Sequence, residues 1–129
     1  MARLQLALNV DKLDDAIDFY GKLFNAEPNK IRDGYANFAV ADPPLKLVLF
    51  ERPQAKERLN HLGVEVGSTD EVVAATERLS SEGLATETQN ETSCCYAVQD
   101  KVWVDAPEGD RWEIYTVLAD DEQLGACCA

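Results

Sequence analysis

QLALNVDKLDDAIDFYGKL (residues 5–23) and HLGVEVGSTDEVVAATERL (residues 61–79) lie over one another without a gap. Gln5 meets His61, Leu6 meets Leu62, Leu8 meets Val64, Val10 meets Val66, Asp14 meets Asp70, Ala16 meets Val72 and Leu23 meets Leu79. A self-match of this length says that one supersecondary unit occurs twice. In each copy an alternating stretch (Leu4, Leu6, Leu8, Val10; then Leu62, Val64, Val66) predicts a strand. An amphipathic helix follows. The first spans 13–24 with Ala16, Ile17, Tyr20, Leu23 and Phe24 inward; the second spans 69–82 with Val72, Val73, Thr76 and Leu79 inward. Gly83 suits the stop of the second helix.

Outward from the repeat, three further strands follow each helix, over 27–32, 35–40 and 45–51, then over 85–90, 96–105 and 111–118. Turn signals separate them at Asp33-Gly34, Asp42-Pro43-Pro44 and Pro107-Glu108-Gly109-Asp110. Each copy therefore reads βαβββ, an α+β arrangement with modules over about 1–52 and 61–118 in a single domain, 1–118. The polar stretch 53–60 is the connector. A ferredoxin-like sandwich has fewer strands per half. Residues 119–129 lack apolar periodicity and predict a flexible tail carrying Cys127-Cys128.

With 129 residues the chain is long enough to bury a core without metal or disulfide staples. Its net charge is −12, with Lys and Arg outnumbered 12 to 24 and nowhere forming a stripe, which excludes a phosphate-backbone binder. No apolar run approaches membrane-spanning length and residues 1–10 show no targeting pattern, so a cytoplasmic protein is expected. The four cysteines form two vicinal pairs, Cys94-Cys95 and Cys127-Cys128, which fits neither a disulfide framework nor a CxxC zinc site.

Cys94-Cys95 follows the polar run Asn90-Glu91-Thr92-Ser93. Consecutive strand residues face opposite ways, so both sulfurs converge on one ligand only if the backbone turns there. One buried cysteine beside an exposed one, or a ring disulfide between neighbours, are the alternatives. Three polar residues also stand at inward strand positions. Gln5 and His61 open the first strands at equivalent places, and Glu113 lies between Trp112 and Ile114 on the last strand. A lone histidine is often a hydrogen-bonded structural residue, and Glu113 on a half-exposed sheet would face solvent. As a set, amide oxygen, imidazole nitrogen and carboxylate leave open positions on a metal, a variation on the two-histidine, one-carboxylate triad of non-haem iron. The position matching Glu113 in the first copy is about Val48, so no fourth carboxylate is offered.

Over about residues 3–118 the sequence resembles the vicinal oxygen chelate superfamily of glyoxalases, extradiol dioxygenases and bleomycin-resistance proteins. That resemblance implies paired βαβββ modules forming a cupped mixed sheet, with metal ligands at Gln5, His61 and Glu113. Many members have histidine where this chain has Gln5. Leu59-Asn60-His61-Leu62-Gly63-Val64-Glu65-Val66, Cys94-Cys95-Tyr96-Ala97, Asp100-Lys101-Val102-Trp103-Val104 and Trp112-Glu113-Ile114-Tyr115 are similar to the ArsI/CadI group.

This group contains organoarsenical carbon–arsenic lyases and cadmium-induced proteins. The resemblance implies an Fe(II)- and O2-dependent dioxygenase that cleaves the carbon–arsenic bond of trivalent organoarsenicals such as methylarsenite and aromatic arsenicals, giving arsenite. Cys94 and Cys95, on one flexible loop, would be the substrate thiolates, since trivalent arsenic is soft. Tyr96 would pack against an aryl group and Lys101 would lower a thiol pKa or attract an anionic ring substituent, unless both are ordinary strand residues. The alternative is a cadmium- or arsenite-binding stress protein without catalysis. A glyoxalase-type isomerase or drug-binding module leaves the cysteine pair unexplained. Modules of this kind also pair between chains, so a homodimer is an expectation.

Overall fold

The computed structural model describes residues 2–125. It divides into two compact units, Arg3–Leu62 and, with Ala2, the chain from Gly63 onward. The first contains β1 (Arg3–Val10), α1 (Leu13–Phe24), β2 (Lys30–Arg32), β3 (Tyr35–Val40), β4 (Leu45–Glu51) and the opening of β5 (Leu59–Glu65). The rest of β5 starts the second, followed by α2 (Thr69–Ser81), β6 (Glu87–Cys94), β7 (Ala97–Asp105) and β8 (Arg111–Asp120). The βαβββ order thus occurs twice, the mixed-sheet arrangement that the repeat implies.

Strand order in the first unit is β2-β3-β4-β1-β5. β1 runs parallel to β4, with Gln5 beside Lys46 and Asn9 beside Phe50, and β2, β3 and β4 are antiparallel. One face packs under α1: Leu13, Ala36, Phe38, Val40, Leu45, Leu47 and Leu49 form the buried cluster, flanked by Leu6, Leu8, Val10, Ala16, Ile17, Tyr20 and Phe24. Strand alternation therefore sends Gln5, Ala7 and Asn9 to the other face, where all three are buried. Helix α1 is capped from a distance, because the Leu13 amide donates to Glu51 Oε2 at 2.8 Å.

In the second unit β8, β7 and β6 pair antiparallel and α2 packs on β7 and β8. Ser68 and Glu71 form a capping box: the Glu71 amide donates to Ser68 Oγ at 3.3 Å, and Glu71 Oε2 accepts from the Gly67 amide at 2.7 Å.

Several boundaries and faces differ from expectation. Leu23 is 58% exposed and Val73 49%, since at 100° per residue they lie roughly 80–100° from the centre of their helices' buried stripes. The strand β2 begins at Lys30, and α2 stops at Ser81. The strand β6 runs to Cys94 through the polar stretch read as a loop, because it is the edge of its sheet and needs no apolar face there. A bulge between Gln89 and Thr92, with Glu91 at φ 46°, absorbs the irregularity. The last strand, β8, extends through Ala119 and Asp120, which pair with Val98 and Ala97; the expected tail thus starts inside a strand. Cys127 and Cys128 lie outside the described residues.

Candidate active site

In the first unit Gln5 and His61 are side by side. Both are buried, His61 with 3% exposure, and Gln5 Nε2 lies 3.1 Å from His61 Nε2. On the other side of the imidazole, His61 Nδ1 meets Asn60 Oδ1 at 2.8 Å. Asn60 Nδ2 in turn donates to Asn9 Oδ1 at 3.1 Å, and Asn9 Nδ2 to the Glu57 carbonyl at 3.0 Å. The segment before β5 is tied to β1 by the Asn9 amide, which donates to the Arg58 carbonyl at 2.7 Å, and by an exposed Arg58–Asp11 ion pair at 2.9 Å. That pair holds the Asp11 carboxyl below its ordinary value, first through its hydrogen bond to Arg58.

Glu113 belongs to the second unit. It is 2% exposed and faces with Tyr115 inward, as the alternation along β8 predicts. Its Oε1 accepts from Lys101 Nζ at 2.6 Å, and Lys101 itself is fully buried. Nζ also lies 5.2 Å from the Trp103 ring and 5.7 Å from the Tyr115 ring. Burial pulls the Lys101 pKa below its usual value, opposed by the Glu113 charge and hydrogen bond. Lys101 is therefore the buried partner of Glu113 rather than an ordinary strand residue. Tyr115 Oη donates to Glu65 Oε1 at 3.2 Å.

The cysteine pair is built as a tight turn. Cys94 ends β6 opposite Ala97, which starts β7, so the linking residues are Cys95 and Tyr96 alone, at φ 53° and 62°. Positive φ at both positions is the type I′ hairpin, normally the province of Asn-Gly. This turn brings the two Sγ atoms to 3.7 Å, well beyond the length of a disulfide, so the pair is not a ring disulfide between neighbours. Cys94 is buried and Cys95 half-buried; neither is a free thiol in this structure. Gln99 Nε2 donates to the Cys94 carbonyl at 2.7 Å.

Residues 121–125 lie across this turn. The Cys95 amide donates to the Leu124 carbonyl at 2.7 Å, the Asp121 amide to the Tyr96 carbonyl at 2.9 Å, and Ser93 Oγ to Asp121 Oδ2. Gly125 passes so close that a Cβ there would lie 1.8 Å from the Ser93 carbonyl oxygen.

Along β7, alternation places Ala97, Gln99, Lys101 and Trp103 on one face. Cross-strand partners bring Cys94, Tyr115 and Glu113 onto it. Within this unit the thiol position and the carboxylate thus share a face but not a point, since Ala97 to Trp103 is about 20 Å of extended strand. Asn9, Asn60 and Gln99 went unnoticed in the sequence. For Asn9 the signal was an amide at an inward position of a strand with apolar neighbours, as for Gln5, whereas Asn60 is a half-buried residue beside His61 and Gln99 precedes Asp100, so neither stood out.

Residues 3–114 match the family described as the Glyoxalase/Bleomycin resistance protein/Dioxygenase superfamily. The cadmium-induced protein CadI of Mycobacterium tuberculosis is 63% identical over 126 residues, 98% of this chain and 83% of the relative. A trivalent organoarsenical cleaving enzyme from Thermomonospora curvata is 54% identical over 134 residues, 99% of this chain and 89% of the relative. Among solved structures, the Mn(II)-bound glyoxalase from Novosphingobium aromaticivorans superposes with a TM-score of 0.66 at 16% identity, over 98% of this chain and 44% of that one.

Proposed function

Because the chain belongs to the glyoxalase/bleomycin resistance protein/dioxygenase superfamily, we propose that it is an Fe(II)- and O2-dependent enzyme that cleaves the carbon–arsenic bond of trivalent organoarsenicals, methylarsenite and aromatic arsenicals among them, releasing arsenite. One observation carries this reading: the Cys94 and Cys95 sulfurs converge at 3.7 Å. A single atom bonded to both at about 2.3 Å, the zinc–thiolate length, would subtend roughly 107°, close to tetrahedral. Soft, thiophilic centres such as trivalent arsenic fit that bite, and harder ions do not. Binding requires both sulfurs reduced, and a cytoplasmic setting, where thiols stay reduced, would supply that state.

Gln5, His61 and Glu113 would hold the iron. In support, His61 Nε2 and the Gln5 amide are buried together in one unit, and Glu113 is a buried carboxylate steadied by Lys101. Gln5 must turn its amide over to offer Oε1, giving up the contact it now makes to His61. Fe(II) with dioxygen would supply the oxidation, a chemistry that amino-acid side chains leave to cofactors. The protein's part is to chelate, aim and shield. Lys101, wedged between the Trp103 and Tyr115 rings, keeps the Glu113 carboxylate oriented in a dry setting.

Thiols and Glu113 lie at opposite ends of one face, so the tip of the β6–β7 hairpin must bend for turnover. The bulge on β6 before Thr92 and the register shift between Val98 and Gln99 are where it would hinge. Amide exchange over 92–98 is expected to be faster than over 100–104; equal protection would remove the hinge.

Anaerobically purified, reduced protein given Fe(II), methylarsenite and air is expected to release arsenite, and Cys94→Ser or Cys95→Ser to abolish release. The similarity to a cadmium-induced protein favours a second reading, in which the sulfurs sequester a soft cation without chemistry. Tight cadmium binding with no arsenite from any organoarsenical would select it.

A further inference from the structure

The hydrogen-bonded line from Glu57 to Gln5 has a direction, and the direction is read from the Glu57 carbonyl inward. At the outer end the Glu57 carbonyl is an obligate acceptor, so the Asn9 atom 3.0 Å from it is the amide nitrogen, and Asn9 Oδ1 faces inward. Asn60 Nδ2 donates to that oxygen at 3.1 Å, which turns Asn60 Oδ1 toward the imidazole. An amide oxygen only accepts, so His61 Nδ1, 2.8 Å away, carries a proton. At the inner end the Gln5 amide nitrogen, 3.1 Å from His61 Nε2, is a donor only, so Nε2 receives. The Glu57 carbonyl anchors the line, and the Gln5 amide as it stands agrees with the tautomer that the line gives.

We propose that Asn60 and, one link further out, Asn9 are positioning residues that lock His61 in the Nδ1–H tautomer and so present Nε2, on the Gln5 side, as the ligand to a divalent metal. The inference rests on His61 being a metal ligand, as set out above, and assigns the two asparagines a role no residue has yet been given. Free imidazole interconverts its tautomers and can turn its ring. In this line neither freedom survives without reversing two amides against the Glu57 carbonyl. Metal-ligating histidines depend on such partners at the far nitrogen, and removing one commonly lowers metal affinity by about 10–100-fold. An amide, unlike a carboxylate, holds the ring without adding charge to a buried site and keeps a donor for Asn9 Oδ1.

The chain has one histidine, so its ring nitrogens can be assigned without ambiguity in 15N-labelled protein. In metal-free protein, at a pH where the ring is neutral, the expected spectrum shows a protonated Nδ1 and an unprotonated Nε2. Asn60→Leu should mix in or switch to the Nε2–H form and weaken anaerobic Fe(II) binding about 10–100-fold. Asn60→Asp should retain the tautomer and most of the affinity, and Asn9→Leu should act in the same direction as Asn60→Leu but less. Circular dichroism establishes that each variant is folded. A wild-type Nε2–H tautomer, or an Asn60→Leu protein with unchanged tautomer and unchanged Fe(II) affinity, overturns the proposal. Wild-type protein with the Nδ1–H form that fails to bind Fe(II) overturns the metal reading of His61, and with it the aim of Nε2, while the lock itself stands.

Discussion

Lys101 and Glu113 show what a single buried pair asks of its neighbours. With 0% and 2% exposure, each charge is compensated by the other, 2.6 Å away. Lys101→Met is therefore expected to destabilise by about 3–5 kcal/mol in urea unfolding, because it takes the compensating cation from a buried carboxylate. The double variant with Glu113→Leu should recover much of that loss; a double variant no better than the single one would contradict the account. Asp121 gives a milder, pH-dependent case. Its hydrogen bond from Ser93, followed by one from the Gln123 amide, holds its carboxyl below the usual 3.8. A depressed carboxyl contributes stability that is present above the unfolded value and lost as pH falls through the folded one. Amide exchange at Cys95, whose proton is held by Leu124, should thus accelerate below about pH 3.8 beyond the intrinsic rate; unchanged protection would detach Asp121 from the turn.

Among the elements, the repeat made the two helices and most strands legible, because a periodicity of 3.6 or 2 survives wherever one face is buried. It failed where burial does not set the pattern. Edge strand β6 is polar on both faces from Thr88 to Ser93, so only pairing with β7 reveals it. Leu23 and Val73 are apolar yet outward, and composition cannot distinguish the rim of a helix from its centre. The candidate site was legible as identities, since Gln5, His61 and Glu113 are polar residues at inward positions. What held them was not, because the Lys101 pair and the asparagine line join residues far apart in sequence. Two element-scale changes test the local account. Ser68→Ala removes an N-cap and should cost about 1 kcal/mol in urea unfolding. Tyr96→Gly relieves one left-handed residue of the I′ turn and should stabilise by about 0.5–1 kcal/mol, net of the entropy glycine adds to the unfolded chain.

Across the whole molecule, a net charge of −12 shapes encounters more than it shapes the fold. No helix among the described residues is long and apolar enough to cross a membrane. Under the proposed function, a neutral trivalent arsenical would meet this field with little consequence, whereas one bearing a ring carboxylate would be repelled. Raising ionic strength from about 0.01 to 0.15 M, which shortens the screening length from about 30 to 8 Å, should raise kcat/KM for the anionic substrate and leave the neutral one unchanged. Equal salt dependence would show that the acidic surface lies away from the approach path. The hairpin turn bears on the molecule at this scale too. If stability alone had been selected, substitution at 95 and 96 would drift toward Asn-Gly, which the backbone there prefers. A lineage that keeps Cys-Tyr instead bears a standing handicap in every generation, and such a handicap persists only while the sulfur it retains is worth more to the cell than the stability it forgoes.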